Sequence, residues 1–571
     1  MLNGLRRLLR SSEGAVIGLA ILVGLLAGLA TLLQSGTAHL IQRILYGLDV
    51  ERLSAEMSVS PWSLLALPLG GLVLTLFGRF ARKKGGAPID VVEANALHGG
   101  AIPMRDSLFV SAQTLISNGA GASVGLEAAY AQMGGGMASV LGQWLRLRRN
   151  DLRVMVGAGA GAAVGAAFGA PLTGAFYAFE IVIGAYTPAA LAPVAAASLA
   201  AALVIRASSA SVYLIALPSA HAIKTVDYFL FGALGMFCAL IGVALIQAVT
   251  LIELRVRRSP LPDRWRPIVG GLLLIPIAWL SPQALSAGHG ALHLDLTMRV
   301  TLTFLVTIFF LKMLASAISL GFGFRGGLFF ASLFLGSLAG QIYAGLINLV
   351  VGAPQVDATD AALVGMAAMA VSVVGGPMTM SMLVLESTHD FALTAVVITA
   401  ALLATTLVRE TFGFSFSTWR LHTRGETIRS ARDVGWVKTV TAGKLMRQGT
   451  PTVAETMTVG EFRRRFPLGS MSCVIVTGSD DRYQGIVDTA AAYGPNVAED
   501  DKISHLLTQT EACLKPEDDI AVAMKKFDAS EADDLAVVDK ERRVLGLVSE
   551  KYVRRRYTEE VEKAHRELFG E

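Results

Sequence analysis

The sequence predicts an all-α polytopic membrane domain, built from two repeated halves with broken helices and followed by a polar α/β tail. Three observations carry this reading: a strong apolar excess, a pair of glycine- and proline-rich segments that recur at a fixed offset, and a change of character after about residue 425. Of the 571 residues 53% are hydrophobic and only 16% are charged, whereas soluble chains carry about 25% charged residues. The 58 glycines suit close helix packing in a bilayer. The net charge of +4 comes from basic residues flanking apolar runs, which reads as membrane topology and not as nucleic-acid binding. Cys238, Cys473 and Cys513 have no metal-ligand spacing, and the two in the tail point to a reducing compartment.

The spans follow in order. Residues 14–33 form a long first apolar run, flanked by Arg6, Arg7 and Arg10, which places the N-terminus in the cytosol. The run is too long for a signal peptide and further spans follow. A second run, 63–80, ends in the basic stretch Arg79, Arg82, Lys83, Lys84. Later runs lie near 228–249, 268–280, 300–320 and 391–408. Between them, 118–185 and 319–386 are broken by glycine and proline. Broken apolar stretches are costly in lipid unless buried in protein or lining a cavity, and polar substrate sites are built there.

These two broken stretches match each other. Gly169-Ala170-Pro171-Leu172-Thr173 with Glu180 aligns with Gly375-Gly376-Pro377-Met378-Thr379 with Glu386, at an offset of 206 residues. Gly125-Leu126-Glu127 with Gly134 aligns with Gly327-Leu328-Phe329 with Gly336, at an offset of 202. Two homologous halves are therefore expected, about 15–210 and 225–425, meeting at a midplane site. In each half a glycine-rich run, Ser117–Glu127 or Gly321–Phe329, opens an apolar helix. Helix N-termini expose unpaired N–H groups and the positive end of the dipole. Two such ends converging in the membrane would hold a desolvated anion without a full opposing charge, which leaves the ion free to move on.

Taken together these segments resemble the CLC family of chloride channels and chloride/proton exchangers, over residues 15–425. The family's Gly-Ser-Gly-Ile-Pro is similar to Lys84-Gly85-Gly86-Ala87-Pro88, its Gly-Arg/Lys-Glu-Gly-Pro to Gly125-Leu126-Glu127-Ala128-Ala129, and its Gly-Gly-Ile-Phe-Ala-Pro to Gly326-Gly327-Leu328-Phe329-Phe330-Ala331. The resemblance implies inverted halves and a homodimer in which each subunit has its own pore. It places Glu127 on the gating, proton-linked glutamate; a carboxylate merely capping a helix start is the bland alternative. It also implies anion-binding positions at Gly85, Gly86, Leu126, Leu328, Phe329 and Ser417. Three departures stand out. The pore serine becomes Gly85, the pore tyrosine becomes Ser417, and the inner proton-relay glutamate becomes Ile181. Lost hydroxyls leave backbone amides and water to coordinate the ion, so a wetter, less selective and loosely coupled pore is expected. Lys84 reads either as a snorkelling lysine of the basic run or as a pore-mouth charge that concentrates anions. Arg325 is expected to face an aqueous vestibule or a carboxylate.

After Gly425 no apolar run is long enough to cross a bilayer. Residues 472–477, 483–487, 534–539 and 544–548 read as strands and 520–527 as a helix. The pattern resembles a tandem CBS pair, about 440–503 and 504–560, on the cytosolic side. The nucleotide motif of such modules is only partly present: Gly485 and Asp488 are followed by Ala491, and Gly546 and Ser549 by Tyr552. A ligand-free dimerising scaffold and an adenine-nucleotide sensor both remain open, and no other cofactor or metal is expected.

The function expected is transport of chloride or a similar small anion, passive or loosely proton-coupled, across a bacterial inner membrane with both termini cytosolic. An obligate chloride/proton antiporter and a proton-coupled carrier of another solute are the alternatives. A membrane enzyme is disfavoured, since the sequence shows no metal-ligand cluster and no phosphate-binding loop.

Overall fold

The computed structural model describes residues 2–48, 52–56, 58–81, 88–208, 223–297, 300–423, 440–478 and 480–569. The chain divides into two compact units, Met1–Asp433 and Val434–Glu571. Among the described residues the regular elements of the first are all helical. Its helices are α1 (Leu2–Ser11), α2 (Glu13–Tyr46), α3 (Ala66–Ala81), α4 (Val91–Leu97), α5 (Met104–Gly119) and α6 (Glu127–Trp144). They continue with α7 (Arg149–Phe168), α8 (Pro171–Tyr177), α9 (Pro188–Ala207), α10 (Thr225–Arg258), α11 (Arg266–Leu280) and α12 (His289–Thr297). The last six are α13 (Leu302–Gly321), α14 (Phe329–Val351), α15 (Ala358–Val374), α16 (Pro377–Thr388), α17 (Phe391–Thr411) and α18 (Phe416–His422). Seven helices among the described residues are long and apolar enough to cross a membrane, and four shorter apolar segments accompany them. The chain is a multi-pass membrane protein.

The repeat is visible in how small residues let helices touch. In α6 and α7, Gly134 and Gly159 face each other so closely that a Cβ on either would strike the other's carbonyl. Gly336 of α14 and Gly365 of α15 do the same in the second half. The 34-residue helices α2 and α10 pack on α9 and α17 through the same device, Gly24 against Ala197 and Gly235 against Ala400. The halves then meet across α3 and α11, where Gly71 lies on the carbonyl of Pro267 and Gly271 on that of Leu67. In a bilayer, where burying apolar surface drives nothing, such close backbone approach supplies the dispersion contacts that hold helices together.

Helices α2, α10 and α17 run past the expected spans, because hydropathy does not see polar but still helical flanks. The first apolar run extends to Tyr46, where Gly47 at φ 62° closes α2. Residues 84–86 lie outside the described residues.

The second unit holds two small sheets. Strand β1 (Thr452–Ala454) lies parallel to β2 (Cys473–Thr477), which pairs antiparallel with β3 (Tyr483–Asp488). Strands β4 (Asp534–Val538) and β5 (Val544–Ser549) form an antiparallel pair. The helix Ile520–Ser530 packs its apolar face, with Ile520, Ala523 and Phe527, on Leu535, Val537 and Val548. Strand β1 escaped the sequence reading: three residues are too few to show alternation.

Candidate functional site

The two glycine-rich runs meet. The Gly125 N–H donates to the Gly327 carbonyl (2.9 Å), and the Gly327 N–H donates to that of Gly125 (3.1 Å). This pair joins the halves by backbone alone, and each partner is followed at once by a helix start, Glu127 of α6 and Phe329 of α14. The first-turn N–H groups of both helices have no intrahelical acceptor, so two positive dipole ends converge on one spot.

The run before Gly125 is held by a polar brace. Asn118 Nδ2 donates to the Val124 carbonyl (2.7 Å) and to Ser286 Oγ (3.2 Å). Gln42 Nε2 reaches the Asn118 carbonyl (3.0 Å) and Ser286 Oγ (3.1 Å). The Ser123 N–H donates to Ser319 Oγ (2.9 Å), and Tyr46 Oη donates to the Ala120 carbonyl (2.8 Å). Irregular backbone survives inside a membrane protein only when its polar groups are satisfied in this way.

Glu127 is 2% exposed. Its carboxylate lies against the glycine pair: a Cβ on Gly125 would collide with Oε2, and one on Gly327 would stand 3.7 Å from it. Among the described residues no hydrogen bond of good geometry reaches either oxygen, although the backbone amides of Glu127 itself and Phe330 face the carboxylate. The carboxylate thus occupies the place where the two helix starts would hold an anion. On its other side lies a cavity of about 70 Å³, lined among others by Leu126, Tyr130, His39, Arg52 and His289. That is several times the roughly 10–15 Å³ one water needs on this measure, so a small ion with its waters fits.

Of the other residues singled out in the sequence, Leu126, Leu328 and Phe329 cap or open the two helices and are buried. The Phe329 ring packs on Phe168 (5.2 Å between centroids) and Tyr177 (6.1 Å). Arg325 is half-buried, with its N–H donating to Ser117 Oγ (2.9 Å). Ser417 is half-buried on α18 and does not line the cavity. The start of α18 is instead beside Gly375, which lies between Ile181 and Ser415. Lys84, Gly85 and Gly86 lie outside the described residues.

The sequence reading missed five residues around Glu127: Lys312, His39, Arg52, His289 and Tyr177. Lys312 carried a usable signal, as the one charged residue of α13. His289, between Gly288 and Gly290, carried a weaker one, and the rest reach the site only through tertiary contacts.

Among known proteins, a ClcB-like chloride channel protein of Ralstonia nicotianae is 28% identical over 390 residues, 66% of this chain and 89% of that protein. The structure of a slow cyanobacterial Cl-/H+ antiporter superposes with a TM-score of 0.63 at 22% identity, over 72% of this chain and 97% of its own. That of a eukaryotic CLC transporter gives 0.60 at 17% identity, over 96% of this chain and 98% of its own. Both share this fold. The CBS domain profile matches residues 503–559. The profile of the voltage gated chloride channel family matches residues 69–409, more than half of the sequence, and on that match, with two glycine-led helix starts closing on Glu127, the chain belongs to the CLC family.

Proposed function

We propose that the chain carries chloride or a similar small anion through a pore gated by Glu127, as passive or loosely proton-coupled flux. The observation that supports this most is the Glu127 carboxylate seated at the Gly125–Gly327 crossing, between the starts of α6 and α14. Ionised, it competes with the anion for the same amide-lined place. Protonated, it loses the charge that holds it there and swings away. Leu126, Leu328 and Phe329 offer backbone amides along the path; Gly85, Gly86 and Ser417 are the further anion-binding positions the family resemblance implies, and Lys84 and Arg325 the candidate pore-mouth charges. The subunit works within a homodimer, each copy with its own pore, in the inner membrane with both termini cytosolic. The tail acts as a scaffold, with adenine-nucleotide sensing as its alternative.

An obligate chloride/proton antiporter is the second reading, favoured by the antiporter fold relative and opposed by Ile181, which cannot relay a proton from inside. The gate is tested by chloride flux from liposomes driven by a potassium diffusion potential. Wild-type flux should rise as pH falls, whereas Glu127→Gln should conduct with little pH dependence. A steep pH dependence retained in Glu127→Gln overturns the gate.

A further inference from the structure

Lys312 is the single charged residue of the 20-residue helix α13 and is 0% exposed. A buried ammonium in a membrane helix is expensive and calls for a reason. Its Nζ donates to the carbonyls of Ser286 (2.7 Å) and Ala284 (3.3 Å). Among the described residues no carboxylate lies within ion-pair distance of it. The charge is therefore solvated by two carbonyl dipoles and not neutralised.

The fold does not require it. At the 202-residue offset of the repeat, the first half has Val110, buried on α5. A helix in the same place in the architecture packs there with a valine. What distinguishes the second half is its neighbourhood. The Ser286 carbonyl held by Lys312 belongs to a turn with φ 53° at a non-glycine residue. The same Ser286 accepts hydrogen bonds through Oγ from Gln42 and Asn118 and lines the cavity that ends on Glu127. Glu127 and Lys312 sense each other's charge. Meanwhile Leu126, beside Glu127, stands where the resembled motif has arginine or lysine.

We propose that Lys312 is a fixed cation of this pore, a positioning residue that holds the Ser286 turn and, through space, draws small anions to the Gly125–Gly327 crossing and keeps ionised Glu127 seated there. The proposal rests on the reading of Glu127 as the gate. Its charge sits behind the cavity wall and so attracts the ion without binding it directly, which suits a site that must release. Other titratable or charged groups also face Glu127: His39 of α2, Arg52 after it, Tyr130 of α6, Tyr177 of α8 and His289 of α12. Two of these groups are histidines, so a pH profile alone is insufficient and is paired with chloride affinity.

Flux is measured in liposomes with the full chain, against pH and against chloride concentration, for Lys312→Met, Lys312→Arg and each in the Glu127→Gln background. Removing a nearby positive charge favours the neutral carboxyl. Lys312→Met should therefore move the half-activating pH upward by about one unit and raise the half-saturating chloride concentration several-fold. Lys312→Arg should restore both. With Glu127→Gln the pH effect should vanish while the chloride effect persists. If Lys312→Met does not fold, Lys312→Gln, which still donates to the Ser286 carbonyl, carries the test. Met or Gln variants matching Arg in both readouts make Lys312 a structural clip and overturn the proposal. Persistent pH dependence in Glu127→Gln alone would instead sink the gate and leave the chloride readout to judge Lys312.

Discussion

Glu180 and Glu386 cap each other's helices. Glu180, in the π-helical turn after α8, accepts from the N–H groups of Met378 (3.1 Å) and Thr379 (2.8 Å) and from Thr379 Oγ1 (2.7 Å) at the start of α16. Glu386, near the end of α16, accepts from Leu172 N–H, Thr173 N–H (2.8 Å each) and Thr173 Oγ1 (2.7 Å) at the start of α8. The two helices lie antiparallel, related by a pseudo-two-fold, with each carboxylate satisfying orphan donors and a positive dipole end.

Replacing either carboxylate by alanine leaves two backbone donors and a hydroxyl half-buried. Charge-assisted bonds of this kind contribute about 1.5–3 kcal/mol. Glu180→Ala and Glu386→Ala should each lower the melting temperature of the detergent-solubilised protein, by similar amounts because the contacts are equivalent. A large loss in one and none in the other would contradict the two-fold relation.

Gly125 and Gly327 should differ in their tolerance of alanine. A Cβ at Gly125 displaces the Glu127 carboxylate, so Gly125→Ala should raise flux at neutral pH and flatten its pH dependence. At Gly327 a Cβ meets Ala128 Cβ at 3.5 Å, ordinary contact, and Gly327→Ala should stay close to wild type. Equal liposome flux profiles for the two variants would contradict this.

Coupling is read from the reversal potential of purified protein under opposed chloride and proton gradients. With Ile181 in place of a relay carboxylate, a reversal near the chloride equilibrium potential is expected. A stable shift with the proton gradient would favour the antiporter.

In the tail, Cys473 Sγ lies 3.5 Å from Asp534 Oδ2. Burial, together with that carboxylate, pushes the thiol up to about 12, so Cys473 stays neutral and should resist iodoacetamide at pH 8 in the folded protein. Burial also raises Asp534. Its folded carboxyl holds a proton more tightly than the unfolded one, so its stabilising contribution is full below the unfolded value and is lost as pH rises through the folded one. Asp534→Asn should thus raise the tail's melting temperature at pH 7, by on the order of 2 °C for a half-exposed group, and by less in acid. A drop at pH 7 would contradict this.

Much of the membrane unit could be read from the sequence, because lipid forces hydropathy and helix to coincide and because the repeat doubled each landmark. Glu127 was legible since a carboxylate opening an apolar helix has few innocent uses. The partners of Glu180 and Glu386 were not: the alignment matched the two glutamates to each other, while the contacts run from each to the other's Pro-x-Thr segment. Lys312 was visible as a lone charge, but only folding places it behind Ser286. Arg52, His39 and His289 lie on three separate segments, and no periodicity links them.

The backbone pair between Gly125 and Gly327 has a consequence for biogenesis. Glu127 leaves the ribosome about 200 residues before Gly327 and the start of α14 exist, which at about 5–20 residues per second is roughly 10–40 s of synthesis. During that interval an ionisable side chain opens α6 with half of its surroundings missing. A chain interrupted between the halves would insert apolar helices and still lack the Gly125–Gly327 crossing, because neither fragment contains both residues. The pore is thus a late event of translation, and any factor that shields α6 until α14 arrives would set the yield of active protein without touching the mature molecule.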